Sequence, residues 1–163
     1  MFTFEEIPAY QGDVSFQAAV SDDRRAVTIT FSDVTVELGN APTDTALTAS
    51  RSLFLVLPLV GGPGRAEIEL NVQAGVLLTE GAHATLLSSV NGRSTVTDFL
   101  VEPDQTVVQT LTLVADTPAE CRLFAMLMVG RDSRFPEATA LANLVSIDAE
   151  VLPRAPQPPG PVS

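Results

Sequence analysis

Between Ala66 and Leu78 the chain alternates without a break: Ala66, Ile68, Leu70, Val72, Ala74, Val76 and Leu78 are apolar, with Arg65, Glu67, Glu69, Asn71 and Gln73 in the intervening places. A period of two sends successive side chains to opposite faces of an extended strand, so one face is buried and the other is wet. A helix would scatter the same residues around its circumference. The segment therefore requires a long, half-buried strand in an antiparallel sheet, and the rest of the chain has to cover its apolar face.

The same period recurs at Val14, Phe16, Ala18 and Val20 and again at Val27, Ile29 and Phe31, with Asp22-Asp23 as the turn of a hairpin. After Phe31 the apolar set moves to even positions, Val34, Val36 and Leu38, and this change of phase predicts a β-bulge at Ser32-Asp33. Gly39-Asn40-Ala41-Pro42 ends that strand. Residues 53–60 read as another strand, turned by Gly61-Gly62-Pro63-Gly64 into the long alternating one, so the two are expected to pair as antiparallel neighbours. Asn91-Gly92, flanked by strands at 84–90 and 93–101, accepts the positive φ that a type I′ turn needs at both central positions. Strands at 106–114, 121–129 and 141–151 follow, separated by turns at Glu102-Pro103-Asp104 and Asp116-Thr117-Pro118. Taken alone, residues 138–144 also suit the start of a helix.

About nine or ten strands with short turns define an all-β chain, an antiparallel β-sandwich or jelly roll, with a closed β-barrel as the alternative. Residues 1–152 form one domain, and 153–163 a tail in which Pro153, Pro156, Pro158, Pro159 and Pro161 favour polyproline II. With 163 residues, 45% hydrophobic and 18% charged, the chain can fill a core without staples.

Charge excludes some partners. Twenty acidic residues against nine arginines and no lysine give a net charge of -11, and no basic stripe exists to displace counterions from nucleic acid. No apolar run approaches the roughly 20 residues of a membrane-spanning helix. The opening Met1-Phe2-Thr3-Phe4-Glu5-Glu6 lacks the basic and apolar regions of a signal peptide, which makes the cytoplasm the expected compartment, with secretion the alternative if a leader is missing from this start.

No catalytic or cofactor-binding constellation emerges. The single His83 reads as a surface imidazole, and Cys121, in phase with Leu123, Ala125, Leu127 and Val129, as a packed core residue. One His and one Cys cannot make a zinc site. Oxygen ligands for calcium stand in loops at Asp22, Asp23, Asp44, Asp104 and Asp132, but without EF-hand spacing they read as solvated turn carboxylates. Glu67 and Glu69 share a strand face with Arg65, Asn71 and Gln73, which gives a glycosidase pair no substrate platform. The lack of Trp and the single Tyr10 argue against a sugar-stacking surface.

Two segments are apolar on both faces. Leu53, Leu55, Leu57 and Leu59 oppose Phe54 and Val56; Leu123, Leu127 and Val129 oppose Phe124, Met126 and Met128. A two-layer sandwich leaves one face of each strand to solvent, so the second apolar face needs a cover. Phe54, Val56, Phe124, Met126 and Met128 are therefore the candidate interface of a non-catalytic structural or protein-interaction domain that self-associates or takes a protein partner. The competing cover is the chain's own Phe2, Phe4, Ile7 and tail. The other functional readings are a small apolar-ligand binder built as a β-barrel and, more remotely, an enzyme with a metal-carboxylate site.

The order of elements at residues 26–33, at Ser50-Arg51-Ser52 followed by 53–58, and at 66–76 with its late Gly75 resembles a family of small secreted β-sandwich proteins of unknown function. In place of that family's cysteine after the Ser-Arg pair stand Leu53 and Phe54. The resemblance implies a sandwich fold and carries over no active-site residue.

Overall fold

A computed structural model describes residues 1–5, 9–11, 14–39, 41, 43–62, 64–99, 104–116, 118 and 120–153. The strands are β1 (Thr3–Phe4), β2 (Ala9–Gln11), β3 (Phe16–Val20), β4 (Ala26–Phe31), β5 (Thr35–Leu38), β6 (Thr48–Val60), β7 (Arg65–Leu78), β8 (Ala82–Val90), β9 (Arg93–Phe99), β10 (Gln105–Asp116), β11 (Glu120–Arg131) and β12 (Ala140–Val151). They form two six-stranded antiparallel sheets. The first runs β1-β6-β11-β8-β9 with β2 also on β6, and the second β10-β7-β12-β4-β3 with β5 also on β12. The sheets stack face to face and do not close on each other, which makes the fold a sandwich and removes the barrel alternative along with its lumen.

The alternating segment behaves as its pattern requires. All seven apolar residues of β7 from Ala66 to Leu78 point into the core and are at most 6% exposed. Asn91 and Gly92 turn β8 into β9 with φ of 45° and 84°, and the Asp22-Asp23 turn joins the β3–β4 hairpin. The turn residues Glu102, Pro103 and Thr117 and the tail from 154 to 163 lie outside the described residues.

Three expectations are corrected. First, β6 and β7 are not neighbours: the glycine-rich turn after Val60 carries the chain from one sheet to the other, and β6 lies between β11 on one side and β1 and β2 on the other. The reason is face chemistry. The outer face of β7 bears Glu67 and Glu69, whereas that of β6 bears Phe54 and Val56; β6 pairs instead with the other strand apolar on both faces, placing Phe54 opposite Phe124.

Second, the phase change after Phe31 is a break in the ladder rather than a single inserted residue. β4 pairs with β12 as far as Thr30 opposite Ser146, and β5 takes over at Thr35 opposite Asn143, so residues 31–34 span positions 144 and 145. β12 adjusts on its other edge by a register shift against β7 between Leu144 and Ser146. The Asp33 carboxylate accepts the Ser15 amide at 3.0 Å, which pins the excursion to the strand beside it.

Third, residues 138–144 start no helix. Ala140, Ala142 and Leu144 are inward residues of β12. Among the described residues, twelve strands stand where about nine or ten were expected. The break between β4 and β5 adds one, and the short β1 and β2 come from an opening segment with no alternation to read.

Candidate functional site

The outer face of the first sheet is built by alternate residues of four adjacent strands. Phe54 of β6 lies opposite Phe124 of β11, which in turn lies opposite Ser89 of β8. One row on, Met126 lies opposite Leu87, and Leu87 opposite Val96 of β9. Phe54, Val56, Phe124, Met126, Met128 and Leu87 are all half-buried, and Val96 is 55% exposed. The sequence singled out the first five, and the sheet brings them together. Leu87 and Val96 escaped notice because their neighbours on the same strand faces, Thr85 and Ser89 on β8 and Ser94 and Asp98 on β9, look like ordinary wet faces.

Phe2 and Phe4 do not cover this face. Both are buried in the core, with the Phe2 ring against Gly61 and β1 hydrogen-bonded to the end of β6. Ile7 and the tail lie outside the described residues.

At one end of the face is an open depression of about 570 Å³ with Phe54 and Phe124 on its wall and Ser89, Asn91, Glu120 and Arg122 around it. Asn91 fixes this rim: its side-chain carbonyl accepts the Arg122 amide at 2.6 Å, and its NH₂ donates to the Glu120 carbonyl at 3.2 Å. Arg122 forms an ion pair with Glu120.

Charge is divided unevenly between the sheets. Strands of the first contain two carboxylates, Asp98 and Glu120, against Arg51, Arg93, Arg122 and Arg131. Strands of the second contain Glu37, Glu67, Glu69, Asp116, Asp148 and Glu150 against Arg65 alone. The outer face of the second sheet is wet and hydrogen-bonded, with Thr28 donating to Asp148 at 2.6 Å, Thr110 to Asn71 at 2.6 Å and Asn71 to Glu69 at 3.1 Å.

The five candidate calcium ligands do not converge. Among the described residues, no three His, Cys, Asp or Glu side chains are grouped as a metal site. Three of the five serve their own turns. Asp23 accepts from Ser21 and from the Arg25 amide, and these bonds hold its carboxyl below the usual range. Asp44 accepts the amides of Gly39 at 2.7 Å and Ala46 at 3.0 Å, which lower its pKa in the same way, with a smaller contribution from the Arg131 charge. Asp132 is brought down to about 2 by hydrogen bonds from Arg134. Asp22 and Asp104 are exposed, and Asp104 takes a φ of 57°. These carboxyls are lowered on folding, so whatever they add to stability is present above the ordinary value of 3.8 and is lost as pH falls through the lowered one.

His83 is exposed on β8 with its ring over Gly130. Cys121 is fully buried, and burial pushes its thiol up to about 12. Maleimide is expected to leave Cys121 unmodified in the folded protein at pH 8 and to label it fully in urea, as read by intact mass. Labelling of the native protein at a rate within about tenfold of a free thiol would show that the β11 core opens.

One residue missed by sequence reasoning is Arg131, at the end of β11 and only 7% exposed. Its guanidinium donates to the carbonyls of Asp44 at 2.5 Å, Ala46 at 2.9 Å and Pro136 at 2.8 Å, with a longer contact to Ala138. A lone arginine ending an apolar strand gives no signal of this kind; only the fold brings two loops around it.

The fold and this face define a class, an antiparallel β-sandwich with one apolar and one acidic outer surface. Compared with protein-family models and with curated proteins, the chain matches none. Among solved structures it is similar to a chain in the cryo-EM structure of Broad Bean Stain Virus, at 8% identity and TM-score 0.41 over 98% of this chain and 100% of that one. It is also similar to TmCBM61, solved in complex with β-1,4-galactotriose, at 11% identity and TM-score 0.34 over 87% and 88% of the two chains. A third is the CBM22-1 xylan-binding domain of Paenibacillus barcinonensis Xyn10C, at 15% identity and TM-score 0.24 over 91% and 87%.

Proposed function

We propose that this chain is a non-catalytic association domain that binds a second copy of itself through the outer face of β6, β11 and β8. The observation that carries the reading is a contiguous apolar row, Phe54 to Phe124 and Met126 to Leu87 to Val96, on the sheet whose described strands contain two carboxylates, Asp98 and Glu120. A protein with a net charge of -11 repels its own copies nearly everywhere, and this face is where that repulsion is weakest. Fully burying a large apolar side chain is worth about 1.5–3 kcal/mol, so completing the burial of five half-buried ones contributes about 4–7 kcal/mol per face. Two faces meeting give about 8–15 kcal/mol, enough to offset a typical association cost.

Sedimentation at about 0.05 and 0.5 M salt tests this. An oligomer that tightens as salt screens the like charges is expected, and Phe124→Asp is expected to weaken it at least about a hundredfold while leaving the far-ultraviolet circular dichroism unchanged. A strict monomer at about 100 μM under both conditions would overturn the proposal.

A further inference from the structure

The second sheet ends at β10, twelve residues paired with β7 from Gln105 opposite Val76 to Asp116 opposite Arg65, with no bulge or break. Its other edge pairs with no strand among the described residues. Such an edge is a row of backbone donors and acceptors ready for an added strand, and sheets protect it with charge, proline, bulges or short length. The other terminal strands carry that protection: β1 and β2 have two and three residues, β3 has five, and β9 carries Arg93 and Asp98. β10 carries only Asp116, at its last position. From Gln105 to Ala115 there is no charged residue, no proline and no glycine. The outward row Thr106, Val108, Thr110 and Thr112 is exposed and β-branched throughout, with Val108 at 55%.

The strand is also held in place. Gln109 points inward and is 3% exposed; its NH₂ donates to the Leu86 carbonyl at 2.9 Å and to the Thr97 hydroxyl at 2.8 Å, tying the edge to β8 and β9 of the opposite sheet. An anchored strand gives up little further freedom on pairing.

We infer that the free edge of β10 is a second self-association site, at which β10 of another copy adds antiparallel and makes one continuous sheet across a twofold axis. Three observations choose a second copy as the occupant. From Gln105 to Ala115 the edge is uncharged, so two chains of net charge -11 meet there with carboxylates opposed only at the two ends of the ladder, Asp104 opposite Asp116. The register with β7 is unbroken, and residues 105–115 of each partner supply an eleven-residue ladder. The parity is self-consistent: a twofold centred on Thr110 places Val108 opposite Thr112 on the outer face and Gln109 opposite Leu111 on the inner, so every pair keeps its side of the sheet. The site is distinct from the apolar outer face and does not depend on it.

Amide hydrogen exchange on the intact wild-type chain tests the edge without any substitution. Those amides of residues 106–114 that do not bond β7 are expected to exchange about tenfold more slowly at high than at low protein concentration. Exchange independent of concentration overturns the inference. Val108→Lys combined with Thr112→Lys, both on exposed positions, is expected to abolish that protection and to lower the sedimenting assembly by one step; unchanged sedimentation and protection overturn it too. Phe124→Asp separates the two sites. If it leaves edge protection intact and assembly unchanged, the outer-face reading fails and the edge stands. If it dissociates the assembly while the edge amides exchange freely at every concentration, the edge alone fails.

Discussion

Arg131→Met is expected to cost about 3 kcal/mol of stability, seen as a fall of roughly 1–2 M in the urea midpoint with the slope unchanged. The guanidinium is a buried cation whose partners are carbonyl oxygens of two loops, those of Asp44 and Ala46 on one side and Pro136 and Ala138 on the other. Methionine fills much of the same volume with no donor, so these acceptors must either stay unpaired or draw in water, and an unpaired buried polar group costs about 1–3 kcal/mol. The site is too crowded to relax freely: a Cβ on Gly39, which sits at φ 81°, would come within 2.5 Å of the Ala138 carbonyl and 3.2 Å of the guanidinium. Arg131→Lys is expected to recover only part of the loss, because one ammonium on a flexible stem cannot reach across the span that the planar fork covers. Limited proteolysis supplies a local readout. Cleavage in residues 41–46 is expected to rise in Arg131→Met before the β7 and β12 core opens. A midpoint shift below about 0.3 M would mean that the loops hold together without the arginine.

How much of this was legible in the sequence depends on whether one strand's pattern carries the information. β7 was readable in full, since seven apolar residues in strict alternation admit one face assignment. Asn91-Gly92 was equally plain, because few dipeptides accept positive φ twice in succession. Partners across the sheet were not written into any single strand. The turn after Val60 looks like a hairpin turn, and nothing in Gly61-Gly62-Pro63-Gly64 says that it crosses between sheets. The doubly apolar character of residues 53–60 and 121–129 did hold the answer, since such strands pair best with each other. β12 concealed its bulge because residues 140–145, Ala-Leu-Ala-Asn-Leu-Val, are apolar in both phases except for Asn143, so the shift near Val145 leaves little trace in the pattern. The candidate face shows the same division. Its five central residues were legible, whereas Leu87 and Val96 joined them only through pairing, and Arg131 only through two loops distant in sequence.

Two adjacent residues of β11 should separate stability from association. Leu123 is fully buried in the core, opposite Leu55 on one side and Val90 on the other. Leu123→Ala removes those methyl groups where the surrounding strands cannot collapse, so a loss of about 3–5 kcal/mol is expected, at the upper end for a leucine truncation. That exceeds the Arg131 effect and takes up a large part of the 5–15 kcal/mol that usually holds a domain together. Phe124, one position on, points the other way into the half-buried outer face. Phe124→Asp leaves the inner packing untouched, so its stability cost is expected to stay below about 1.5 kcal/mol even though the change is chemically the more drastic. The pair thus predicts a crossed result: Leu123→Ala lowers the unfolding midpoint and keeps the association constant, and Phe124→Asp does the reverse. The physical basis is the period of two itself, which sets the residue that builds the core beside the residue offered to a partner. Chemical denaturation of both variants, run beside sedimentation under the same conditions, reads both quantities. A Phe124→Asp protein destabilised as much as Leu123→Ala would mean that the outer face is part of the fold's own core, and the case for a second copy on it would lapse.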